Sequence, residues 1–513
     1  MGLVIKSPVS VLVASMRPFN ASSDVWPLLL ERDQARECVI SVVVSGEGEL
    51  EVLRAAIPGA ACVPRGFQGF GVDYGPLGTH EFNILSQMML GENFAPLKRQ
   101  VIAMLNRHDS TGGFRLVDRE MIFYELFYSL GGLVIRKAVS HVFFDITPHV
   151  VTEYILFWFA KNLGLKVLFL QPIPVAGLSI ARTDVDSRLL TAKEAANSQA
   201  AKHFRESARS QLEEFAEKLR GGNATWVKRY LGPEMRKVDK KSFQPLKKLS
   251  RFLSLSQAPN SAGLPGITTL PMRVARLLES LLIWGHRASF LASRKENASD
   301  MLPNEPFLLY AMTHEPERTF FPEALPWESQ FEFISHLAAS QAGSRKIVVK
   351  EHETQYAPGR LGYASRSNHF YRLIQTLPNV TLVSSQLSAQ KILPAADGVV
   401  SATGTICVEA ALMGKSGFYF GNPWWEGFPG TSRITAEDLR NGILREAPAY
   451  TGQEFDQWVE GLLETAVSST SNVSNEVFSS KYAALPEGYR ELEANSLGAL
   501  LDRFLFEKTG ETA

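Results

Sequence analysis

Apolar segments of strand length alternate with segments of helical spacing along most of this chain. In its first part, Val9–Ala14, Val39–Val44, Val142–Phe144 and Val167–Leu170 are short apolar runs typical of buried strands. Phe94–Leu105, which lies between two of them, shows the apolar spacing of a helix. Strands that alternate with helices indicate a parallel, doubly wound sheet. We therefore predict that residues 1–185 form a Rossmann-like domain.

The alternation resumes near Pro306 in a second block of sequence. The apolar runs of this block are Phe307–Ala311, Ile347–Lys350, Val380–Val383, Gly398–Val400 and Gly417–Phe420. Helical spacing between them is seen in Ser329–Ala342, Ser365–Leu377 and Ser388–Leu393. This block predicts another Rossmann-like domain over residues 301–430. The polar residues 431–513 are predicted to form a helical C-terminal tail.

Residues 186–300 interrupt the alternation and predict a helical insertion between the two domains. Thr191–Arg220 has the composition of a helix and ends at a Gly-Gly pair. The following segment 228–252 is rich in Lys and Arg, with Phe and Leu at helical spacing. Such a segment is suited to an anionic membrane surface, and a solvated helical face is the alternative.

Composition limits the classes of function. The chain has 53 Lys and Arg residues and 53 Asp and Glu residues, so no overall charge attracts it to nucleic acid. Its three cysteines are far apart, which argues against a disulfide framework or a zinc site and is typical of the cytoplasm. No apolar run reaches the roughly 18 residues of a membrane span. P-loop, GxSxG and HExxH motifs are absent, and no glycine fingerprint supports a dehydrogenase.

The stretch Gly398–Trp425 carries the clearest signal of a binding site. Its strand enters a turn of small residues, Ser401–Thr405, and a helix-like run follows that ends at Gly414. A strand, turn and helix in this order point backbone N–H groups at one spot, which favours phosphate. Glu409, about one turn into the helix, would reach a ribose hydroxyl. The alternative is an ordinary turn of an α/β fold.

Polar residues follow three strands of the second block. They are Lys350, His352, Ser384, Ser385, Thr403, Gly404 and Thr405. Ligands of open α/β sheets bind outside the carboxyl ends of the strands, so these clusters are expected to converge on one crevice. Lys350 and His352 would neutralise a phosphate leaving group there. A solvated loop is the alternative for any single cluster, and the coincidence of three favours a site.

The end of the first strand of the second block is also densely charged. His314, Glu315 and Arg318 follow that strand within a few residues, with Pro316 among them. Glu315 is a candidate general base and Arg318 a candidate donor ligand. A surface loop of mixed charge is the alternative.

In the first block, the candidates follow strand ends as well. Asp145 comes directly after the strand Val142–Phe144 and is a candidate general base, and His149 lies shortly beyond it. Alternatively, Asp145 or Thr147 caps the next helix with Pro148 at its first position. Arg17 follows the first strand and is a weaker candidate for the acceptor side.

With these residues in view, the chain resembles the bacterial capsule polysaccharide biosynthesis family, which includes transferases of 3-deoxy-manno-octulosonic acid (Kdo). The segments that carry the resemblance are YAMTHEPERTFFPEA (310–324), VVKEHETQ (348–355), FYRLIQTLPNVTLVSS (370–385), DGVVSATGTICVEAALMGKSGFYFG (397–421) and DITPHVVTEYILFWFAKNLGLKVLFL (145–170). They cover roughly half of the chain, and their order and spacing are more specific than any one of them.

The resemblance implies a glycosyltransferase of GT-B architecture that needs no metal or other cofactor. The donor, a CMP- or UDP-linked sugar, would lie on the C-terminal domain and a saccharide or lipid-linked acceptor on the N-terminal one. By the family pattern, His352 with Lys350 and the turn Thr403–Thr405 would serve the donor phosphate, and Glu409 the ribose. The implied location is the cytoplasm, with peripheral contact to the inner membrane surface through 228–252.

Two alternatives remain at the level of sequence. A nucleotide-sugar epimerase or a polyol-phosphate transferase would use a similar two-domain fold. The family commonly has His-Pro where this chain has His352-Glu353, which favours a capsule assembly or export protein that lost the chemistry. The Thr-Gly-Thr turn and Glu409 favour an enzyme.

Overall fold

The structure is a computed structural model, and it describes residues 9–14, 25–65, 75–105, 116–173, 175, 177–186, 199–221, 285, 290, 298–356, 362, 365–385, 387–469 and 488–506. These residues form two compact units. The first unit contains the described residues of Met1–Leu105, Leu116–Leu212 and Val459–Ala513, and the second contains those of Glu213–Trp458. Each unit is built on its own mainly parallel sheet, which confirms the predicted α/β fold with two Rossmann-like domains.

The strands in the described residues are numbered in chain order. They are β1 (Val9–Ala14), β2 (Cys38–Ser45), β3 (Ala61–Pro64), β4 (His141–Phe144), β5 (Lys166–Pro172), β6 (Leu178–Arg182), β7 (Phe307–Ala311), β8 (Lys346–Lys350), β9 (Val380–Val383), β10 (Gly398–Ser401), β11 (Ser416–Tyr419), β12 (Thr431–Arg433) and β13 (Ala466–Ser468). Every strand predicted from an apolar run is present. The strands β3, β6, β12 and β13 were not predicted.

The helices of the described residues cover the faces of these sheets. They are α1 (Val25–Gln34), α2 (Glu47–Ala56), α3 (Thr79–Met89), α4 (Phe94–Met104), α5 (Leu116–Arg136), α6 (Val151–Asn162), α7 (Gln199–Arg220), α8 (Gln330–Ser340), α9 (Asn368–Gln375), α10 (Ala389–Ile392), α11 (Ile406–Leu412), α12 (Ala436–Asn441), α13 (Gly452–Thr465) and α14 (Tyr489–Phe506). The α6 helix is buried along almost its whole length because it packs on the sheet with one face and on α4 and α5 with others.

The sheet of the first unit has the strand order β13-β6-β5-β4-β1-β2-β3. The chain builds outward from β1 through β2 to β3, and then returns to place β4 and β5 in parallel on the other side of β1. The strands β6 and β13 extend this side, with β6 antiparallel to β5 and β13 antiparallel to β6. The order in which the chain adds parallel strands reverses between β1 and β4. This makes a topological switch point there, and α/β sheets commonly bind ligands at such points.

The sheet of the second unit is parallel and has the order β12-β11-β10-β7-β8-β9. The chain builds from β7 through β8 to β9 and then returns to place β10, β11 and β12 on the other side of β7. The switch point of this sheet therefore lies between β7 and β10. Buried side chains of the central strands, among them Leu308, Tyr310 and Val400, fill its core.

The residues predicted as a separate helical tail, 431–513, contribute to both units. The strand β12 extends the second sheet, and β13 pairs with β6 in the first. The helix α14 packs Leu497 and Leu501 into the core of the first unit, and Arg32 forms an ion pair of 2.6 Å with Asp502. The sequence pattern missed this return because β13 has only three residues.

Most of the predicted insertion 186–300 lies outside the described residues, as does the basic segment 228–252. Within the described part, α7 confirms the C-terminal portion of the helix predicted over Thr191–Arg220. None of the described helices has the length and apolar character needed to cross a bilayer.

His141, the first residue of β4, is buried with its ring 5.1 Å from that of Phe504. Burial, and secondarily the charge of Lys166, lowers the pKa of His141 to about 4. Between this value and the ordinary pKa of histidine, about 6.5, the unfolded chain binds a proton that the folded chain does not. The free energy of unfolding therefore falls as the pH drops through this window.

We expect His141→Phe to remove this acid sensitivity, which amounts to at most about 3 kcal/mol, because phenylalanine keeps the packing on Phe504 and cannot be protonated. Denaturant unfolding of wild type and variant at pH 7 and pH 5 measures it. His80→Gln removes an exposed imidazole of the same unit and serves as the control. An equal loss of stability at pH 5 in wild type and His141→Phe would contradict the assignment.

Candidate functional site

The carboxyl ends of β7, β8 and β10 meet at one edge of the second sheet. The register pairs Ala311 at the end of β7 with Lys350 at the end of β8. On the other side of β7, the hydroxyl of Ser401 at the end of β10 donates a hydrogen bond of 2.8 Å to the carbonyl oxygen of Ala311. The residues that follow these three strands are therefore neighbours. They surround the switch point of the sheet.

The end of β8 supplies a buried amine and a half-buried imidazole. The Nζ atom of Lys350 lies 3.4 Å from the carbonyl oxygen of Glu351 and 3.7 Å from a carboxylate oxygen of Glu353. The Nδ1 atom of His352 is 2.7 Å from the hydroxyl oxygen of Thr354 and accepts a hydrogen bond of 3.3 Å from its backbone N–H. Because Nδ1 is the acceptor, the ring proton lies on Nε2.

A second imidazole lies beside this histidine. His314 follows β7 and is 5% exposed, and its ring centroid is 6.1 Å from that of His352, with an angle of 62° between the two ring planes. The backbone on each side of His314 is held by a side-chain amide. Gln330 binds both the N–H and the carbonyl oxygen of Thr313, and Gln355 does the same for Glu315.

A buried arginine joins the loops that follow β7 and β8. The guanidinium of Arg366 binds the carboxylates of both Glu315 and Glu351, and its side chain is 1% exposed. The Tyr371 hydroxyl donates a further bond of 2.9 Å to Glu351. Burial raises the pKa of Glu315, and the charge of Arg366 acts in the opposite direction. Sequence reasoning missed Arg366, since it follows no strand end and lies in a segment, Ser365–Leu377, that was predicted only as a helix.

The turn after β10 is fixed by tertiary contacts. The hydroxyl of Thr403 donates a bond of 2.7 Å to the carbonyl oxygen of Thr319 in the loop after β7, and the indole N–H of Trp425 donates to the carbonyl oxygen of Thr403. A Cβ atom at Gly404 would lie 2.7 Å from the Ser401 hydroxyl oxygen. The turn therefore has room only for glycine at this position unless the serine moves.

Glu409 lies in the helix that follows this turn. Thr405 is the N-cap residue of α11, and its side chain makes no capping hydrogen bond. The backbone N–H of Glu409 donates to the carbonyl oxygen of Thr405, and the residue is 8% exposed. Burial alone raises the pKa of Glu409 to about 7. A carboxyl group held in this way costs stability, which is common where a protein keeps a polar group for function.

Other predicted residues of the second unit lie farther from the switch point or have structural partners. Ser384 and Ser385 are buried after β9, which is separated from β7 by β8. Arg318 forms an ion pair of 2.8 Å with the buried Glu323. This pair lies in the loop after β7, where the carbonyl oxygen of Glu323 also accepts from the backbone N–H of Asn422 at 2.7 Å.

In the first unit, Asp145 lies at the switch point. It follows β4, and its backbone N–H donates a bond of 3.0 Å to the carbonyl oxygen of Ala14 at the end of β1. The predicted helix cap is wrong, because α6 begins at Val151 with Val150 as its N-cap residue and no side-chain capping bond. His149 instead has Nδ1 at 2.7 Å from the carbonyl oxygen of Thr147.

Arg65 is a second arginine that the sequence did not reveal as part of a site. It follows β3, and its guanidinium binds both carboxylate oxygens of Glu153, which is 1% exposed in the first turn of α6. Burial lowers the pKa of Arg65, but the charges of Glu153, Asp145 and Glu49 outweigh it, so that the pKa is raised. Arg65 and Asp145 are thus near enough to interact. Arg17 lies outside the described residues.

Among the residues that the structure describes, no three His, Cys, Asp or Glu side chains are grouped so that they could hold a metal ion. The three cysteines are buried or half-buried and unbridged.

Comparison with known proteins gives similarity to solved structures only. No family model matches the chain, and no curated protein matches it. The similar structures include a β-Kdo 2,7 transferase, KpsC, of Thermosulfurimonas dismutans, with 12% identity, a TM-score of 0.28 and coverage of 72% of this chain and 98% of that one. The UDP-GlcNAc 2-epimerase of Neisseria meningitidis bound to UDP-GlcNAc has 11% identity, a TM-score of 0.20 and coverage of 97% and 99%.

The calicheamicin glycosyltransferase CalG4 is another similar structure, with 12% identity, a TM-score of 0.21 and coverage of 98% of this chain and 99% of that one. These TM-scores are too low to support an argument about function. The two sheets of the chain itself establish the fold, and the candidate functional residues lie at the carboxyl ends of their strands.

The raised pKa of Glu409 gives a direct test of its environment. Between its ordinary value of 4.5 and about 7, the folded chain keeps a proton that the unfolded chain has released. The free energy of unfolding therefore falls as the pH rises through this window, by at most about 3 kcal/mol. We expect Glu409→Gln to raise the melting temperature at pH 8 and to change it little at pH 4.5.

Thermal unfolding at the two pH values measures this effect. Glu464→Gln, which changes an exposed carboxylate of α13, is the matched control and should leave the melting temperature unchanged at both. A Glu409→Gln variant that is no more stable than wild type at pH 8 would show that the carboxylate is well solvated.

Proposed function

We propose that this chain is a glycosyltransferase that moves a sugar from a nucleotide-sugar donor to a saccharide or lipid-linked acceptor. The observation that carries the proposal is the edge of the second sheet at the switch point. There an amine, an imidazole, a glycine-containing turn and a buried carboxyl group follow adjacent strands, at Lys350, His352, Thr403–Thr405 and Glu409. This is the set of groups that a nucleotide needs, with cations for its phosphate and an acceptor for its ribose.

On the donor side, each residue has a chemical role in the proposal. The bond between the sugar carbon and the phosphate oxygen breaks, and its electron pair stays on that oxygen. Lys350 and the Nε2–H of His352 stabilise the negative charge that develops there, which lowers the barrier most when the donors are already in place. The backbone of Thr403–Thr405 binds the phosphate, and Glu409 binds a ribose hydroxyl.

On the acceptor side, Asp145 is the proposed general base. It takes the proton of the acceptor hydroxyl as that oxygen forms the new bond to the sugar carbon. The guanidinium of Arg65 lies near enough to Asp145 for the two charges to interact. Glu315 is the weaker candidate for this role because its carboxylate is bound by Arg366.

The resemblance in sequence to capsule polysaccharide enzymes supports a role in the synthesis of a surface polysaccharide. It also supports CMP- or UDP-linked sugars as the donors to test first. The family has a proline after the histidine, where this chain has Glu353. Here the ring of His352 is positioned by Thr354, so a proline is not needed to orient the ring.

We expect the protein to bind CMP or UDP with a dissociation constant in the micromolar to millimolar range, and to release the nucleotide from the matching sugar donor. Isothermal titration calorimetry and product analysis with a panel of nucleotide sugars measure both. His352→Ala should lower turnover by roughly 10²–10⁴-fold if His352 assists the leaving group.

His369→Ala changes an exposed imidazole of the same unit and is the control for His352→Ala. Recovery of a sugar epimer instead of a transferred sugar would replace the transferase by an epimerase. A protein that binds none of the nucleotides and turns over none of the donors would refute the proposal.

A separate prediction concerns Asp145. If it is the base, Asp145→Asn should lower the turnover number by roughly 10²–10⁴-fold and leave nucleotide affinity unchanged, because the donor site is in the other unit. Steady-state kinetics and nucleotide titration separate the two quantities. Asp502→Asn, an exposed aspartate of the same unit, is the control. Full activity of Asp145→Asn would exclude the residue as the base.

A further inference from the structure

Side-chain amides hold the backbone of the loop after β7 on both sides of His314. The amide of Gln330 accepts from the N–H of Thr313 at 2.9 Å and donates to its carbonyl oxygen at 2.8 Å. The amide of Gln355 accepts from the N–H of Glu315 at 2.9 Å and donates to its carbonyl oxygen at 2.7 Å. Both glutamines are about 1% exposed. The backbone on both sides of His314 is therefore fixed by buried hydrogen bonds.

Ion pairs also hold the loop after β7 in place. Arg366, which is almost fully buried, ties Glu315 beside His314 to Glu351 beside His352. Breaking a buried ion pair of this kind leaves an uncompensated charge, so the two loops are strongly coupled in position. The backbone segments that carry the two histidines are therefore held to each other and do not move independently.

The two rings are spaced to share one ligand. Their centroids are 6.1 Å apart, and each ring follows the end of its own strand at the switch point. Hydrogen bonds of about 2.9 Å from two imidazoles to two oxygens of the same phosphate group would span such a gap. The His352 ring carries its proton on Nε2, the form that donates to an anion.

A buried histidine is often only a packing residue, so the chemistry of its neighbours matters. The three carboxylates of these loops are ion-paired, Glu315 and Glu351 with Arg366 and Glu353 with Lys350. This pairing reduces the repulsion that the carboxylates would exert on a nearby anion. A neutral imidazole can donate its N–H to a phosphate oxygen without a formal charge of its own.

We propose that His314 binds the departing phosphate of the donor together with His352, as a second imidazole ligand of the same group. The inference rests on the proposed function, in which His352 serves that phosphate. In this arrangement the rigid loop of Gln330, Gln355 and Arg366 presents His314 at a fixed distance from His352. The phosphate then meets two donors that need no rearrangement.

The test is a titration of four proteins with phosphate-bearing and phosphate-free probes. The proteins are wild type, His314→Asn, His352→Asn and the double variant. The probes are CMP, UDP, inorganic phosphate and the nucleosides cytidine and uridine, and calorimetry measures their dissociation constants. Each single change should weaken binding of the phosphate-bearing probes by roughly 10- to 100-fold and leave binding of the nucleosides unchanged.

The double variant distinguishes a shared ligand from two separate effects. If both rings bind one phosphate, the loss in the double variant should be smaller than the product of the two single losses, because neither ring acts alone. His369→Asn is the control for the loss of an imidazole from this unit, and His314→Gln tests whether another amide donor of greater length recovers part of the binding. Melting temperatures of all variants report on folding.

Two results would overturn the inference. One is nucleotide affinity in His314→Asn equal to that of wild type. The other is a His314→Asn variant that loses nucleoside and nucleotide affinity equally while its melting temperature falls, since that describes a packing residue. If wild type binds inorganic phosphate but no nucleotide, and His314→Asn loses the phosphate, the shared phosphate site of His314 and His352 stands while the proposed transferase function fails.

Discussion

One buried guanidinium joins the two loops that carry His314 and His352 in the second unit. Arg366 holds a carboxylate from the loop after β7 and another from the loop after β8, and its plane lies over the ring of Phe370 with the guanidinium carbon 4.6 Å from the ring centroid. Removing one partner of such a buried set commonly costs about 3–5 kcal/mol because a charge is left unpaired. The positions of the loops after β7 and β8, which carry His314 and His352, are therefore tied to this contact.

Each unit has an arginine that binds carboxylate oxygens near the switch point of its sheet. In the first, Arg65 binds Glu153 and lies near Asp145, and in the second, Arg366 binds Glu315 and Glu351. Arg65 follows β3, which lies outside the central pair of strands in its sheet, and Arg366 precedes α9. Each arginine binds carboxylate oxygens at the carboxyl edge of its sheet. Its planar fork suits this task because it can bind two carboxylate groups at once.

Glu409 illustrates the opposite balance between stability and chemistry. Its carboxyl group is buried at 8% exposure, and burial is the only cause that raises its pKa to about 7. A hydrophobic or amide side chain would be less costly at this position, which supports the proposed contact of Glu409 with a ribose hydroxyl. The well-paired Asp438, which forms a capping box with Thr435, shows how a purely structural acid in the same unit is accommodated.

The alternation of apolar segments is a local property of the chain, so it was enough to predict the α/β architecture, the number of its repeating blocks and most of the strands. It also indicated Lys350, His352, Thr403 and Asp145, which lie at the ends of such segments or within three residues of them. It could not indicate Arg366, Arg65 or the return of β13 to the first sheet. Those depend on which strands become neighbours, and strand order is decided by contacts between residues far apart in sequence. Only the tertiary structure brings their charges within bonding distance.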